Sequence, residues 1–220
     1  MLNWETLVDL LLGIGLSAAA GFRVFVPFFV LSVAAVIGHI DLPTNFDWIE
    51  TNQALIVLAV ASLLEIVGYY IPWLDHLLDT IATPAAVIAG TLVTALATSG
   101  MNPLLQWTLA IIAGGGTAGL TKGMNNFLRL ISTSISVGLT NPVFATIELV
   151  LAIGLAILAI TLPISTGVLV IILMLTLLRK ARQFFAAQTA VDSAQANAAQ
   201  TSTQTSTSST AESAAESTSP

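Results

Sequence analysis

Long apolar runs broken by short polar stretches fill the first 180 positions of the chain and then give way to a polar tail. A helix needs about 20 apolar residues to cross roughly 30 Å of hydrocarbon. Residues 54–71, 80–98, 104–121, 143–162 and 163–179 approach or reach that length, and only a tight turn near Pro163 separates the last two. The run 6–38 is too long for one straight crossing, at about 50 Å for a rise of ~1.5 Å per residue. Gly21 and Pro27 interrupt it, which predicts a bent helix or a helix followed by a partly re-entrant piece. Residues 123–138 carry Asn125, Asn126 and Arg129 and are too polar to face lipid, so they read as interfacial or re-entrant, lining a cavity. The pattern predicts an all-α, polytopic helical membrane protein of about six transmembrane helices, the first broken near Gly21/Pro27.

Composition agrees with the pattern. Of 220 residues, 55% are hydrophobic and 8% charged, whereas a soluble domain carries roughly 25% charged residues; the mean hydropathy is +0.91. Six Lys and Arg against twelve Asp and Glu exclude a strongly basic nucleic-acid binder. The absence of cysteine excludes disulfide scaffolds, zinc–thiolate sites, iron–sulfur clusters and cysteine nucleophiles. Two histidines, His39 and His76, are too few for a haem relay or a poly-imidazole metal site, and no cofactor is implied.

The chain divides into a helical transmembrane domain, 1–185, and a Ser/Thr/Ala-rich tail, 186–220. Every Lys and Arg falls in the first part. The tail has no aromatic residue and almost no branched aliphatics, so it is expected to be disordered, a solvated extension. Ser17-Ala18-Ala19-Ala20 has the small residues of a signal-peptide cleavage site. No Lys or Arg precedes it, however, and Glu5 and Asp9 stand where a positive region belongs, so cleavage is not expected.

Cationic residues set the expected orientation. Arg179, Lys180 and Arg182 close the final span and put the C-terminus in the cytoplasm; Lys122 and Arg129 put the connection between the fourth and fifth spans there too. The loop 39–53 holds Asp41, Asp47 and Glu50 without Lys or Arg and is expected outside. Six crossings with both termini inside satisfy these assignments, whereas two crossings within 6–38 would shift the N-terminus outward. The run Gly15–Arg23 can be laid over Gly114–Lys122, small residues followed by a cation at one spacing. With three spans per half this is either a 3+3 inverted repeat, a common transporter plan, or the chance recurrence of small residues.

Few residues carry chemistry. Arg23 lies within an apolar run, so it needs a partner among the intramembrane acids Glu65, Asp79 and Glu148, with Glu65 or Asp79 favoured. It reads either as a counter-ion or anion-binding group at a broken helix, or as half of a structural pair. Asp75 and Asp79 share one helix face and could share a proton or hold a hard cation. Against this, Pro72 marks a helix start, so Asp75 also reads as a first-turn acid complementing the helix dipole. Tyr69, Tyr70 and Trp73 read as an interfacial aromatic belt, and His76 as interfacial. Arg23, Glu65, Asp75 and Asp79 are therefore the candidate substrate- or ion-binding residues. Gly114–Gly119 lacks the Gly-Lys-Ser/Thr ending of a phosphate loop and reads as a surface for close helix packing, as does Ser17-xxx-Gly21. Such small-residue faces could also support a homo-oligomer.

Gly-x-Ser-x-Gly, His-Glu-x-x-His and dinucleotide signatures are absent. Asp75-xxx-Asp79 matches half of the aspartate motif of membrane alcohol phosphotransferases, but the upstream Asp-Gly and Ala-Arg are missing, and no catalytic residue is assigned. The combination of Gly15-Leu16-Ser17-Ala18-Ala19-Ala20-Gly21-Phe22-Arg23, Val26-Pro27, Glu65 and Ile71-Pro72-Trp73-Leu74-Asp75-xxx-Asp79 resembles a family of small bacterial membrane proteins. That family is known only as a domain of unknown function, numbered four-one-two-six. The resemblance covers about residues 6–180 and implies a multi-span inner-membrane protein without an established activity. Two functional classes follow from the residues: a small-solute or ion transporter or channel-like protein with an Arg/carboxylate centre, and a non-catalytic scaffold or assembly factor. A membrane-embedded lipid enzyme is a third. The first two differ in whether the charged groups meet in a water-accessible cavity or lock together dry.

Overall fold

A computed structural model describes residues 4–40, 44–136 and 141–180; the tail 186–220, with the expectation attached to it, lies outside these. Every described element is helical. The helices are α1 (Trp4–Phe22), α2 (Phe25–Val36), α3 (Asn52–Tyr69), α4 (Pro72–Ala97), α5 (Pro103–Leu109), α6 (Gly116–Ser136), α7 (Asn141–Thr161) and α8 (Pro163–Lys180). A short 3-10 helix, Thr44–Glu50, precedes α3, and a π-helical stretch, Ala110–Gly115, joins α5 to α6. The chain forms two compact units, one ending at Met174 and one beginning at Leu175; of the latter only the helical Leu175–Lys180 is described.

Local chemistry explains the boundaries. Proline lacks an N–H, and its ring collides with the carbonyl four residues back in a helix. For Pro27 that carbonyl belongs to Arg23, and α1 makes its last helical bond there, from Arg23 N to Ala19 O at 3.1 Å. Pro27 is tolerated in the first turn of α2, where the N–H groups have no intrahelical partner. Thr51 caps α3 by accepting from Ala54 N at 3.1 Å, and Asn102 caps α5 by accepting from Leu104 N at 3.0 Å. Pro72 and Pro103 each stand in the first turn of their helix.

Among the described residues, five helical segments are long and apolar enough to cross a membrane: Trp4–Phe22, Asn52–Tyr69, Leu77–Ala97, Val143–Thr161 and Pro163–Lys180. Phe25–Val36 is apolar but shorter. The outer faces of α3, α7 and α8 expose Ile56, Leu64, Val150 and Ile172, as expected of surfaces in contact with lipid. The span expected over 104–121 is not among the five. The π-helical stretch divides it, and the helical run continues through α6, so the segment expected to stand apart at 123–138 is its extension as far as Ser136.

Helix directions follow from paired contacts. On α1, Gly13 faces Thr94 of α4, while the Ser17 hydroxyl bonds to Gly90 O (2.7 Å) and Thr94 Oγ1 (2.8 Å), so α1 and α4 are antiparallel. Along α4 in reverse, Gly114 of the π stretch meets Thr94, Ala118 of α6 meets Gly90, and Asn126 donates to Thr83. Thus α6 is also antiparallel to α4 and runs with α1. The runs Gly15–Arg23 and Gly114–Lys122 point the same way, so their correspondence does not describe an inverted pair. Leu11 faces Gly167 and Ile14 packs with Val170, which makes α8 parallel to α1. Six crossings would set the first and last spans antiparallel, which does not fit α1 and the 163–174 part of α8. The additional pass that makes the number odd is α2: Leu31, Ile40 and Ile49 join one apolar cluster with Leu12, Leu16, Leu96 and Ala159, on the side of Arg23 toward the start of α1. The chain therefore reverses at Arg23–Val24 and comes back alongside α1 before α3 returns.

The small residues allow these close approaches. A Cβ on Gly15 would meet Ala159 of α7, one on Gly21 would meet Thr121 and Ala118 O of α6, and one on Gly90 would meet Ala118. The small-residue faces offered as oligomer surfaces are thus occupied within the chain.

Candidate functional site

Lys122, Asn125 and Arg129 recur at i, i+3 and i+7 along α6 and so lie on one face. That face turns inward. Lys122 is 1% exposed, and Asn125 and Arg129 are buried. Opposite them, Glu148 lies on α7 and Asp79 on α4, each about 10 Å from the start of its helix at ~1.5 Å per residue. Arg23, at the end of α1, and Tyr69, at the end of α3, reach the same level.

The contacts form one connected network. Arg129 holds Glu148 with two prongs, Nε to Oε1 at 2.6 Å and Nη2 to Oε2 at 3.1 Å, and donates from Nη1 to Asp79 Oδ2 at 3.0 Å. Asn125 Nδ2 donates to Glu148 Oε1 at 2.6 Å. Lys122 Nζ donates to Asp79 Oδ1 at 3.0 Å and to the Tyr69 hydroxyl at 3.3 Å. The Tyr69 ring is shared: Arg23 Cζ lies 3.8 Å from its centroid, Arg129 Cζ 5.2 Å and Lys122 Nζ 5.5 Å. Cations over an aromatic face are attracted by its quadrupole, more strongly where water is excluded.

Glu65 has another task. Its two oxygens accept from the backbone N–H groups of Val24 (2.7 Å) and Phe25 (3.0 Å), at the start of α2. A carboxylate there satisfies orphan donors and sits at the positive end of the helix dipole. It thereby fixes the chain reversal beside Arg23.

Arg23 is 1% exposed. Its Nη2 donates to Ala145 O at 3.0 Å and lies 3.5 Å from Glu148 Oε2. Its Nε and Nη1 have no hydrogen-bond partner among the described residues. The carboxylate beside Arg23 is thus Glu148, and not Glu65 or Asp79 as expected. The reason lies in their other contacts: Glu65 is engaged by α2, and Asp79 by Lys122 and Arg129. Asp79 lies at the edge of the network, its side chain 25% exposed.

Of the four expected site residues, the structure brings Arg23 and Asp79 into one network and places Glu65 next to it through Val24 and Phe25. Asp75 lies one turn before Asp79, and its side chain, like that of His76, is outside the described ones. Sequence reasoning missed Lys122, Arg129 and Tyr69 as site residues. Lys122 and Arg129 had been given to a cytoplasmic connection and Tyr69 to an aromatic belt, but all three are buried. They were signalled by the i, i+3, i+7 spacing and by Glu148, the lone acid between Asp79 and Asp192. Among the described residues no group of three or more His, Cys, Asp or Glu could hold a metal ion.

A family model described as Domain of unknown function (DUF4126) matches residues 10–183, which takes in every residue of this network. No curated protein and no solved structure matches the chain.

Proposed function

The chain belongs to the DUF4126 family, and we propose that this polytopic helical membrane protein is a small-solute or ion transporter or channel-like protein of the bacterial inner membrane. Its working part is the Arg23, Glu148, Arg129, Asp79 and Lys122 centre. One observation carries the reading: Arg23, buried at the helix reversal, keeps Nε and Nη1 unpaired beside a network whose other members are extensively bonded. A buried donor without an acceptor costs on the order of 1–3 kcal/mol, and charged groups inside a membrane protein mark solute and ion pathways. A lock whose sole purpose was stability would gain by closing those donors.

The alternative, a non-catalytic scaffold or assembly factor, is favoured by a different observation. Glu148 accepts from Arg129 twice and from Asn125, at side-chain exposures of 2% for Glu148 and 8% for Arg129, which is the dry arrangement expected of a structural clamp.

The charge distribution supports an orientation with the N-terminus outside and the C-terminus in the cytoplasm. Glu5, Asp9, Asp47 and Glu50 lie toward the end of the bundle where α1 starts. Arg179 and Lys180, which follow the last apolar run, support a cytoplasmic C-terminus by the positive-inside rule.

The two readings separate in the variant Arg23→Met, which leaves Glu148 held by Arg129 and Asn125. Reconstituted into proteoliposomes loaded with a pH dye, the native protein should respond to an imposed gradient of acetate, phosphate, sodium or potassium. The variant should keep its thermal stability to within a few degrees and lose that response. Absence of any flux through the native protein, with cellular function retained by the variant, would establish the scaffold reading.

A further inference from the structure

Within the polar centre the hydrogen-bonding capacity of the cations is unequally used. Arg129 donates from Nε, Nη1 and Nη2 to carboxylates. Arg23 makes one bond, to a backbone carbonyl, and stands 3.5 Å from Glu148. Glu148 does not depend on Arg23, because Arg129 and Asn125 already occupy its oxygens. Nε carries one N–H and Nη1 two, so three N–H bonds on a buried guanidinium have no acceptor among the described residues. The face of the guanidinium is against Tyr69, so these donors are available only at its edge, in the plane. An oxyanion is the ligand that geometry recognises. Charge-assisted bonds from arginine to carboxylate or phosphate are stronger than bonds to neutral acceptors, and arginine suits such groups better than lysine.

Charge balance adds a condition. Arg23, Lys122 and Arg129 are matched by Glu65, Asp79 and Glu148, so the six groups sum to zero when ionised. An anion entering alone would leave an uncompensated charge in a buried site, which is costly. A proton entering with it restores the balance. Glu148 faces Arg23 from α1 and Asn125 and Arg129 from α6, and Asp79 faces Lys122 and Arg129. Either carboxylate can take the proton. Asp79 is the more exposed of the two.

We propose that Arg23 is the recognition group for a small oxyanion, a carboxylate or a phosphate, which enters the polar centre together with one proton. The proposal deepens the transport reading and rests on it for the purpose of the site. On entry, the anion's oxygens accept from Nε and Nη1 of Arg23 while a proton from water adds to Asp79 or Glu148, and no covalent bond of the ligand changes.

The test uses the full chain purified in a phospholipid-free maltoside detergent. Thermal unfolding is followed while sodium acetate or sodium phosphate replaces sodium chloride at constant ionic strength. A ligand that binds the folded state raises the midpoint in a saturable way. The expected result is such a rise, accompanied by uptake of about one proton per chain in weakly buffered solution with an indicator dye, as the charge balance requires. Arg23→Lys keeps the charge but loses the edge donors and should weaken binding by about tenfold, the equivalent of one charge-assisted bond. Arg23→Met, which leaves Glu148 held by Arg129 and Asn125, should abolish it. Phosphatidylglycerol added in place of the salts distinguishes a lipid headgroup from a free anion as the source of the oxyanion. No saturable rise with any of the three, or an equal rise in Arg23→Met, overturns the oxyanion site. Binding without proton uptake overturns the coupling alone. Arg23-dependent binding without flux in proteoliposomes keeps the site and removes the transport reading, whereas cation flux without oxyanion binding does the reverse.

Discussion

Arg129 and Glu148 meet through two nearly parallel bonds, 2.6 Å from Nε to Oε1 and 3.1 Å from Nη2 to Oε2, and this pair ties α6 to α7. The fork geometry of guanidinium and carboxylate makes it the most rigid joint of the polar centre. Breaking one side leaves a charge stranded among helices. Arg129→Met should therefore cost roughly 3–5 kcal/mol, whereas Arg129→Met with Glu148→Leu should cost much less. Reversible unfolding in mixed micelles would show it, and equal losses in the single and double variants would exclude the coupling.

Glu65 predicts a local effect. Removing its carboxylate in Glu65→Ala exposes the Val24 and Phe25 N–H groups and should cost about 0.5–2 kcal/mol, the usual value of a helix cap. Glu65→Gln keeps an acceptor and should lie closer to the native protein. Limited proteolysis should find its new cleavage near residues 23–25 in the alanine variant. Protection there equal to the native chain would show that α2 holds its position without the cap.

Tyr69 offers a separation of two contributions. Tyr69→Phe loses only the bond to Lys122 and should cost about 1 kcal/mol. Tyr69→Leu also removes the ring from beneath Arg23 and should cost a further ~0.5–2 kcal/mol. Identical stabilities for the two variants would deny the cation–π contribution.

Glycine substitutions should divide by position. At Gly114 a methyl group would collide with Thr94 Oγ1 and Gly90 O, so Gly114→Ala should destabilise by about 1–3 kcal/mol. Gly154, within α7, has open space around it, and Gly154→Ala should stabilise by ~0.4–1 kcal/mol through the unfolded chain. Thermal melts of the two variants check the sign of each.

Much of the fold was legible because length and hydropathy constrain lipid-facing helices tightly. Asn52–Tyr69 and Pro163–Lys180 could be placed from their apolar runs alone. The π-helical stretch could not, since its two glycines and flanking apolar residues give no local signal of a wider turn. The burial of Arg23 followed from its surroundings, but its partner did not: every intramembrane acid is attractive at long range, and only the packing reveals which oxygens the α2 N–H groups and Lys122 have already engaged. Lys122 and Arg129 misled for a related reason. Counting cations near span ends assumes that they meet water, and a cation paired inside the bundle reports nothing about sidedness.

The long separation between Arg23 and the groups that receive it has a consequence for biogenesis. In the sequence, 122 residues separate Arg23 from Ala145, whose carbonyl accepts its bond. At roughly 5–20 residues per second, the ribosome takes on the order of ten seconds to make that stretch. Glu65 is made earlier and can fix the start of α2 while translation continues, but the guanidinium has neither Ala145 nor Glu148 until α7 is inserted. During that interval α1 has to keep Arg23 in contact with water, headgroups or the insertion machinery. A chain interrupted before α7 would thus display a stranded cation in the membrane, a mark by which quality control can tell an unfinished copy from a finished one.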